Sequence, residues 1–111
     1  DASGNNYIRQ MQRVYGAGTT APEGGTSTAW YLGSQSTGGN DGFYTFDMAN
    51  PFLSKSTSML FNVHNYQSDI VTYIWKGGGA VHNVTSSYDG FTFYPGGGTI
   101  SGKIRIYGYK D

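Results

Sequence analysis

The side chains with chemical reach in this chain are few. They are His64 and His82, the aspartates at 41, 47, 69 and 89, and one glutamate, Glu23. A zinc site draws three or four ligands, usually at close spacing such as His-x3-His. Two histidines 18 positions apart, with no Cys and no Glu beside either, do not make that pattern, and both read as partly exposed strand residues. Asn40-Asp41-Gly42 and Tyr88-Asp89-Gly90 look like fragments of calcium loops. A calcium loop of the helix–loop–helix type needs acidic residues at positions 1, 3 and 5 and a Glu at 12, so both read as ordinary turns. Acid–base catalysis needs paired carboxylates or a His held by a partner, whereas Glu23 stands in a Pro-Glu-Gly-Gly stretch and the aspartates fall mostly in turns. No Ser sits in Gly-x-Ser-x-Gly, and Gly96-Gly97-Gly98 lacks the Lys and the following helix of a phosphate loop. These residues lead us to expect no enzyme: no catalytic residue, no metal and no cofactor. Asn83-Val84-Thr85 is a glycosylation sequon in form, of a kind common by chance.

The aromatic residues carry more information. They make up 16% of the chain, with ten Tyr and two Trp, more than one small core buries. Large exposed aromatic area marks partner surfaces. Tyr31, Tyr66, Tyr94, Tyr107 and Tyr109 fall on or beside polar strand faces and are the candidates for a contact between subunits; Lys103 and Arg105 share a face with the last two. Tyr and Trp also stack on sugar rings, so a glycan-binding surface is the alternative reading of the same residues. Trp30, Trp75 and about half of the Tyr are expected in core or sheet packing, with hydroxyls reaching the edge.

The elements that must position these side chains are strands. A chain of 111 residues builds one core and one domain, with residues 1–6 as an arm or linker. Charged residues are 13% against about 25% in ordinary domains, and seven Lys and Arg balance seven Asp and Glu. That balance lacks the basic stripe of a nucleic-acid binder and gives copies little mutual repulsion. Eighteen Gly, together with Ser, Thr and Tyr, fit short strands joined by turns. Cys is absent, so there is no disulfide framework, and no apolar run is long enough to span a membrane. Asp1 in place of an initiator Met fits a trimmed, matured or excerpted product.

Along the chain, Ile8, Met11 and Tyr15 fit a helical face between an Asn6 cap and a Gly16 stop, but the β character downstream favours a strand over 7–15. Residues 16–25 read as a loop and 26–32 as a strand with Thr28, Trp30 and Leu32 on one face. Residues 33–42 read as a second loop. Tyr44, Phe46 and Met48 share a face of a strand that Asn50-Pro51 ends. Met59, Phe61 and Val63 alternate with Leu60, Asn62, His64 and Tyr66 in the best central strand. Val71, Tyr73 and Trp75 mark another. Gly77-Gly78-Gly79 reads as a turn, with a short strand over 80–85. A closing pair spans Phe91–Tyr94 and Thr99–Lys110 about Pro95-Gly96-Gly97-Gly98. In its last strand Ile100, Gly102, Ile104, Ile106 and Gly108 share one face, and Phe61, Val63, Ile104 and Ile106 are expected in one core. The total is seven to eight short strands and no long helix, the pattern of an antiparallel β-sandwich of jelly-roll type.

The closing run Thr99-Ile-Ser-Gly-Lys-Ile-Arg-Ile-Tyr-Gly-Tyr-Lys110 resembles the last strand of a family of bacteriophage virion domains, which end in a small-Gly-polar-Ile/Phe-x-Leu/Ile-Tyr-Gly segment. Phe91 and Phe93 leading into the turn, and Gly42-Phe-Tyr-Thr-Phe-Asp-Met-Ala-Asn-Pro51, are similar to other parts of that family's pattern, over roughly residues 26–110. The resemblance implies a β-sandwich building block of tail fibres, appendages or capsid decoration, located in the virion. It implies no catalytic residues. The partners expected from it are copies of the chain itself, as a trimer or higher, and neighbouring virion proteins. A host surface glycan goes with the alternative reading; nucleic acid and membrane insertion are not expected.

Overall fold

The computed structural model describes Gly4 and residues 6–31, 42–67 and 71–109. Within them the chain forms five strands: β1 (Tyr7–Tyr15), β2 (Thr19–Ser27), β3 (Phe43–Ala49), β4 (Thr57–Gln67) and β5 (Thr72–His82). They make one open antiparallel sheet in the order β2-β1-β5-β4-β3. The fold is all-β, with no helix among the described residues.

β4 shows why the sheet forms where it does. Its burial alternates without interruption: Thr57, Met59, Phe61, Val63, Asn65 and Gln67 are buried, while Ser58, Leu60, Asn62 and His64 are exposed. The pairing registers carry that parity across the sheet. Phe61 stands opposite Gly78 on β5 and Phe46 on β3, and Gly78 stands opposite Met11 on β1. The buried cluster is Met11, Met59, Phe61, Val63 and Ala80, with Trp30, Tyr44 and Met48 packed against it. Each fully buried Phe or Val contributes about 1.5–3 kcal/mol. Coil segments rather than a second sheet lie over this face. Trp30 meets Tyr7 edge-on at 5.4 Å, Tyr88 lies 5.2 Å from His82, and Phe93 lies 6.0 Å from Tyr44 and 6.1 Å from Phe46.

Several local expectations are corrected. Residues 16–25 are not a loop: only Gly16–Gly18 turn, Gly16 and Gly18 with positive φ, and the chain returns at once as β2. Of the strand expected over 26–32, Thr26 and Ser27 end β2, residues 28–31 are not strand, and Leu32 lies outside the described residues, as do residues 33–41 of the second loop. Gly77-Gly78-Gly79 is not a turn but the middle of β5. There a Cβ on Gly78 would collide with Gln10 O and Met11 Cα of β1, and one on Gly77 would collide with the Trp75 indole. The glycines permit close approach of backbone and ring. The separate strand over 80–85 is the end of β5, which stops at His82. Residues 91–94 and 99–109 enter no ladder among the described residues, while Lys110 lies outside them. Among the described residues five strands are therefore present, against an expected seven to eight. Phe61 and Val63 are in the core, but Ile104 and Ile106 are 68% and 73% exposed.

Candidate interaction surfaces

The two faces of the sheet differ in charge. Register places Arg9, Arg13, Glu23 and Lys76 on the covered face and Asp47 alone on the open one. Glu23 ties the covered face together. Its Oε2 accepts a hydrogen bond from Lys76 Nζ at 3.3 Å, and its Oε1 lies 3.2 Å from Arg13 Nε, off the hydrogen-bonding line and so an ion pair only. The Lys76 side chain is 3% exposed. An ammonium so enclosed requires a carboxylate partner. Glu23 is therefore a structural clamp across β2, β1 and β5 rather than the loop residue its sequence neighbours suggest.

The open face is apolar and aromatic at one end and floored by glycine in the middle. Phe43, His64, Trp75 and Val14 stand in one cross-strand row. The His64 ring stacks on Tyr73 at 5.3 Å and 6° between planes, and Tyr66 meets Tyr73 edge-on at 5.3 Å. Beyond Trp75 an open cleft of about 470 Å³ runs over Gly79 between Ile8 and Gln10 on one side and Ser58 and Leu60 on the other. Leu60 beside the cleft and Phe43, Tyr73 and Trp75 at the aromatic end are all exposed.

The C-terminal segment forms a second surface beside β3. Ile104 and Ile106 line an open cleft of about 460 Å³ with Phe52, Phe91 and Phe93, and Phe93 in turn packs on β3. The Tyr109 hydroxyl donates to Asp47 Oδ1 at 2.8 Å, although Tyr109 is 84% exposed. That donated bond to a carboxylate holds the phenol proton and raises the Tyr109 pKa.

A third cluster is interior. His82 is buried, which corrects its reading as a partly exposed strand histidine; His64 is exposed as expected. Tyr7 stacks on His82 at 4.2 Å, and Trp30 and Tyr88 close around the pair. His82 Nε2, Trp30 Nε1, Tyr88 Oη and Thr57 Oγ1 are buried without a hydrogen-bond partner among the described residues. Burial pushes the His82 imidazole below its ordinary pKa, because its charged form would lose hydration. Burial likewise raises the pKa of Tyr7 and Tyr44.

The five candidate tyrosines do not form one patch. Tyr31 is exposed under the Arg9 guanidinium at 5.4 Å. Tyr66 belongs to the aromatic end of the open face, and Tyr109 to the edge of β3. Tyr94 and Tyr107 are exposed on the segments that follow β5. The residues that sequence reasoning passed over as surface are Phe43, Leu60, Ile104 and Ile106. Alternation places Leu60 on the face opposite Phe61, so its exposure is legible in the sequence, whereas what it faces is not. No family model matches the chain, and neither does any curated protein or solved structure.

Proposed function

We propose that the chain is a structural module that works by self-association, with a bacteriophage virion appendage or decoration as its setting. One observation carries the assembly part. The strands direct four of their five charges to the covered face and leave Phe43, Leu60, Tyr73 and Trp75 on the open one. A face made for water carries the reverse pattern. Five strands of this length cover about 24 Å by 30 Å, on the order of 700 Å² per copy. Two such faces together exceed the ~1,000 Å² that a specific interface needs. Two sheets packed face to face give the two-layer core of a sandwich, so the sandwich architecture is completed between copies in this reading. Residues 91–94 and 99–109 supply the sixth and seventh strands. The virion setting is supported by the pattern of the closing segment. Light scattering or sedimentation over a concentration series tests the association: the full chain associates, and Leu60→Lys on the open face dissociates it. A wild-type chain that stays monomeric sinks the reading. Locating the chain in a reconstructed particle tests the setting.

A second reading is favoured by the stacked row His64–Tyr73 beside Trp75 and Phe43, a flat aromatic platform with Asn62 and Gln12 in the next row. Such a platform suits a sugar ring. Binding on a glycan array that is lost in Trp75→Ala, by a chain that stays monomeric, would put this reading first.

A further inference from the structure

Within the self-association reading, we propose that residues 99–109 are a donated strand, which adds to the outer edge of β3 in a second copy of the chain. The segment carries the period-2 pattern of a half-buried strand yet enters no ladder among the described residues, and its isoleucines are exposed. An alternating run of this kind has one use for its apolar face, which is to lie on a core. The outer edge of β3 has no strand beside it among the described residues. Between Phe43 and Ala49 it has neither Pro nor Lys, and its one charge, Asp47, already accepts a hydrogen bond from Tyr109.

The Tyr109–Asp47 hydrogen bond fixes which way the segment faces. Asp47 lies on the open face of the sheet, so Tyr109, and with it Tyr107, Arg105 and Lys103, belongs on that side. Ile104 and Ile106 then fall on the other side, the side of Phe46 and Met48. The cleft that Ile104 and Ile106 share with Phe91 and Phe93 lies on that same side, since Phe93 packs on Tyr44 and Phe46. Two independent contacts thus agree on one facing, whichever direction the added strand runs. Charge agrees as well, since Lys103 and Arg105 come to the side where Asp47 is the one charged strand residue. The Pro95-Gly96-Gly97-Gly98 run, with Gly98 at φ 70, is the hinge about which the segment leaves its own chain. Exchange of an identical element between protomers repeats in the pair a contact already made within one chain, here Tyr109 on Asp47.

The test uses the alternation of an antiparallel or parallel ladder itself. Of two successive residues on an edge strand, one directs its N–H to the neighbour and the other to solvent. With Tyr109 beside Asp47, residues 107 and 108 lie against β3 whichever way the added strand runs, so Tyr107→Pro and Gly108→Pro in the full chain differ: one removes a ladder hydrogen bond and weakens association at least about tenfold, and the other leaves it unchanged. Sedimentation reads the association, and circular dichroism verifies that both variants keep the sheet, which the segment does not help to build. Equal effects from the two prolines, or none from either, overturn the donated strand. If Leu60→Lys dissociates the assembly while neither proline does, the face contact stands and the strand donation falls. A monomeric wild-type chain overturns both. As a second measurement, Asp47→Cys and Tyr109→Cys chains are mixed and oxidised. A 47–109 disulfide between different copies supports donation. Closure only within one chain carrying both cysteines, with no 47–109 link in the mixture, overturns it.

Discussion

The two edges of the sheet are built on different principles. β2 is Thr-Thr-Ala-Pro-Glu-Gly-Gly-Thr-Ser, with no buried apolar residue. It is held by backbone pairing to β1 and by the Glu23 clamp on Arg13 and Lys76. Pro22, Gly24 and Gly25 blunt its outer side, since Pro cannot donate to a further ladder and Gly packs nothing. β3 is Phe-Tyr-Thr-Phe-Asp-Met-Ala, held by apolar contact with β4 and Phe93. One edge is pinned by charge and carries a Pro, and the other is pinned by packing and has no strand beside it among the described residues. If the sheet is extended by a further strand, as strand donation requires, this contrast directs the addition to β3.

The contrast can be broken from either side. Phe61, 2% exposed, stands opposite Phe46. Phe61→Ala is expected to cost about 3–5 kcal/mol in denaturant unfolding and to loosen the β3 side. Glu23→Gln strikes the other edge by leaving the Lys76 ammonium enclosed without a carboxylate. The expected loss is about 3 kcal/mol, the low end for breaking a buried pair, because Glu23 keeps some access to water. Protection of β2 amides should fall first.

Acid gives a smaller effect. The folded His82 pKa lies below the unfolded value of about 6.5, so the unfolded chain binds more protons just beneath that pH. Stability is therefore full above that pH and declines as pH falls from there toward the depressed folded value. Thermal melts of His82→Gln should show less of this decline than wild type; an identical decline would mean that other groups cause it. The smallest effect on folding sharpens the comparison most. Thr45→Lys on β3 and Thr20→Lys on β2 both stand on the open face at an edge strand, and each should change stability by no more than about 0.5 kcal/mol. Only Thr45→Lys should weaken association beyond the loss common to both. Matched losses would place the contact on the face alone.

Where side chains alternate around a core, the fold was legible. Met59, Phe61 and Val63 marked β4, and Tyr44, Phe46 and Met48 marked β3, because period 2 in apolar residues is the imprint of one covered face. β2 left no such imprint, since its register depends on the backbone of β1 and on the two ion pairs of Glu23, one of them with a residue 53 positions away. Gly77-Gly78-Gly79 misled for the opposite reason. Three glycines are the local signature of a turn, and their use here, to let β1 and the Trp75 ring come close, depends on neighbours that sequence distance hides. The closing run shows a further limit: alternation states that a segment suits a sheet, not which sheet. As for the site, the expected tyrosines are exposed in part, but their dispersal over several surfaces follows from topology and not from their spacing.

The glycine run in β5 also bears on how the sheet comes apart. β1 contributes a single buried apolar side chain, Met11, and β2 none. The strand that joins this hairpin to the rest presents only backbone at Gly77–Gly79. A cooperative unit that opens by itself is one with few apolar ties to its surroundings. The β1–β2 hairpin meets that description, and β3–β4 with their shared core do not. Amide exchange is therefore expected to reveal a seam at the geometric centre of the sheet, with the slowest-exchanging amides off-centre, on β4.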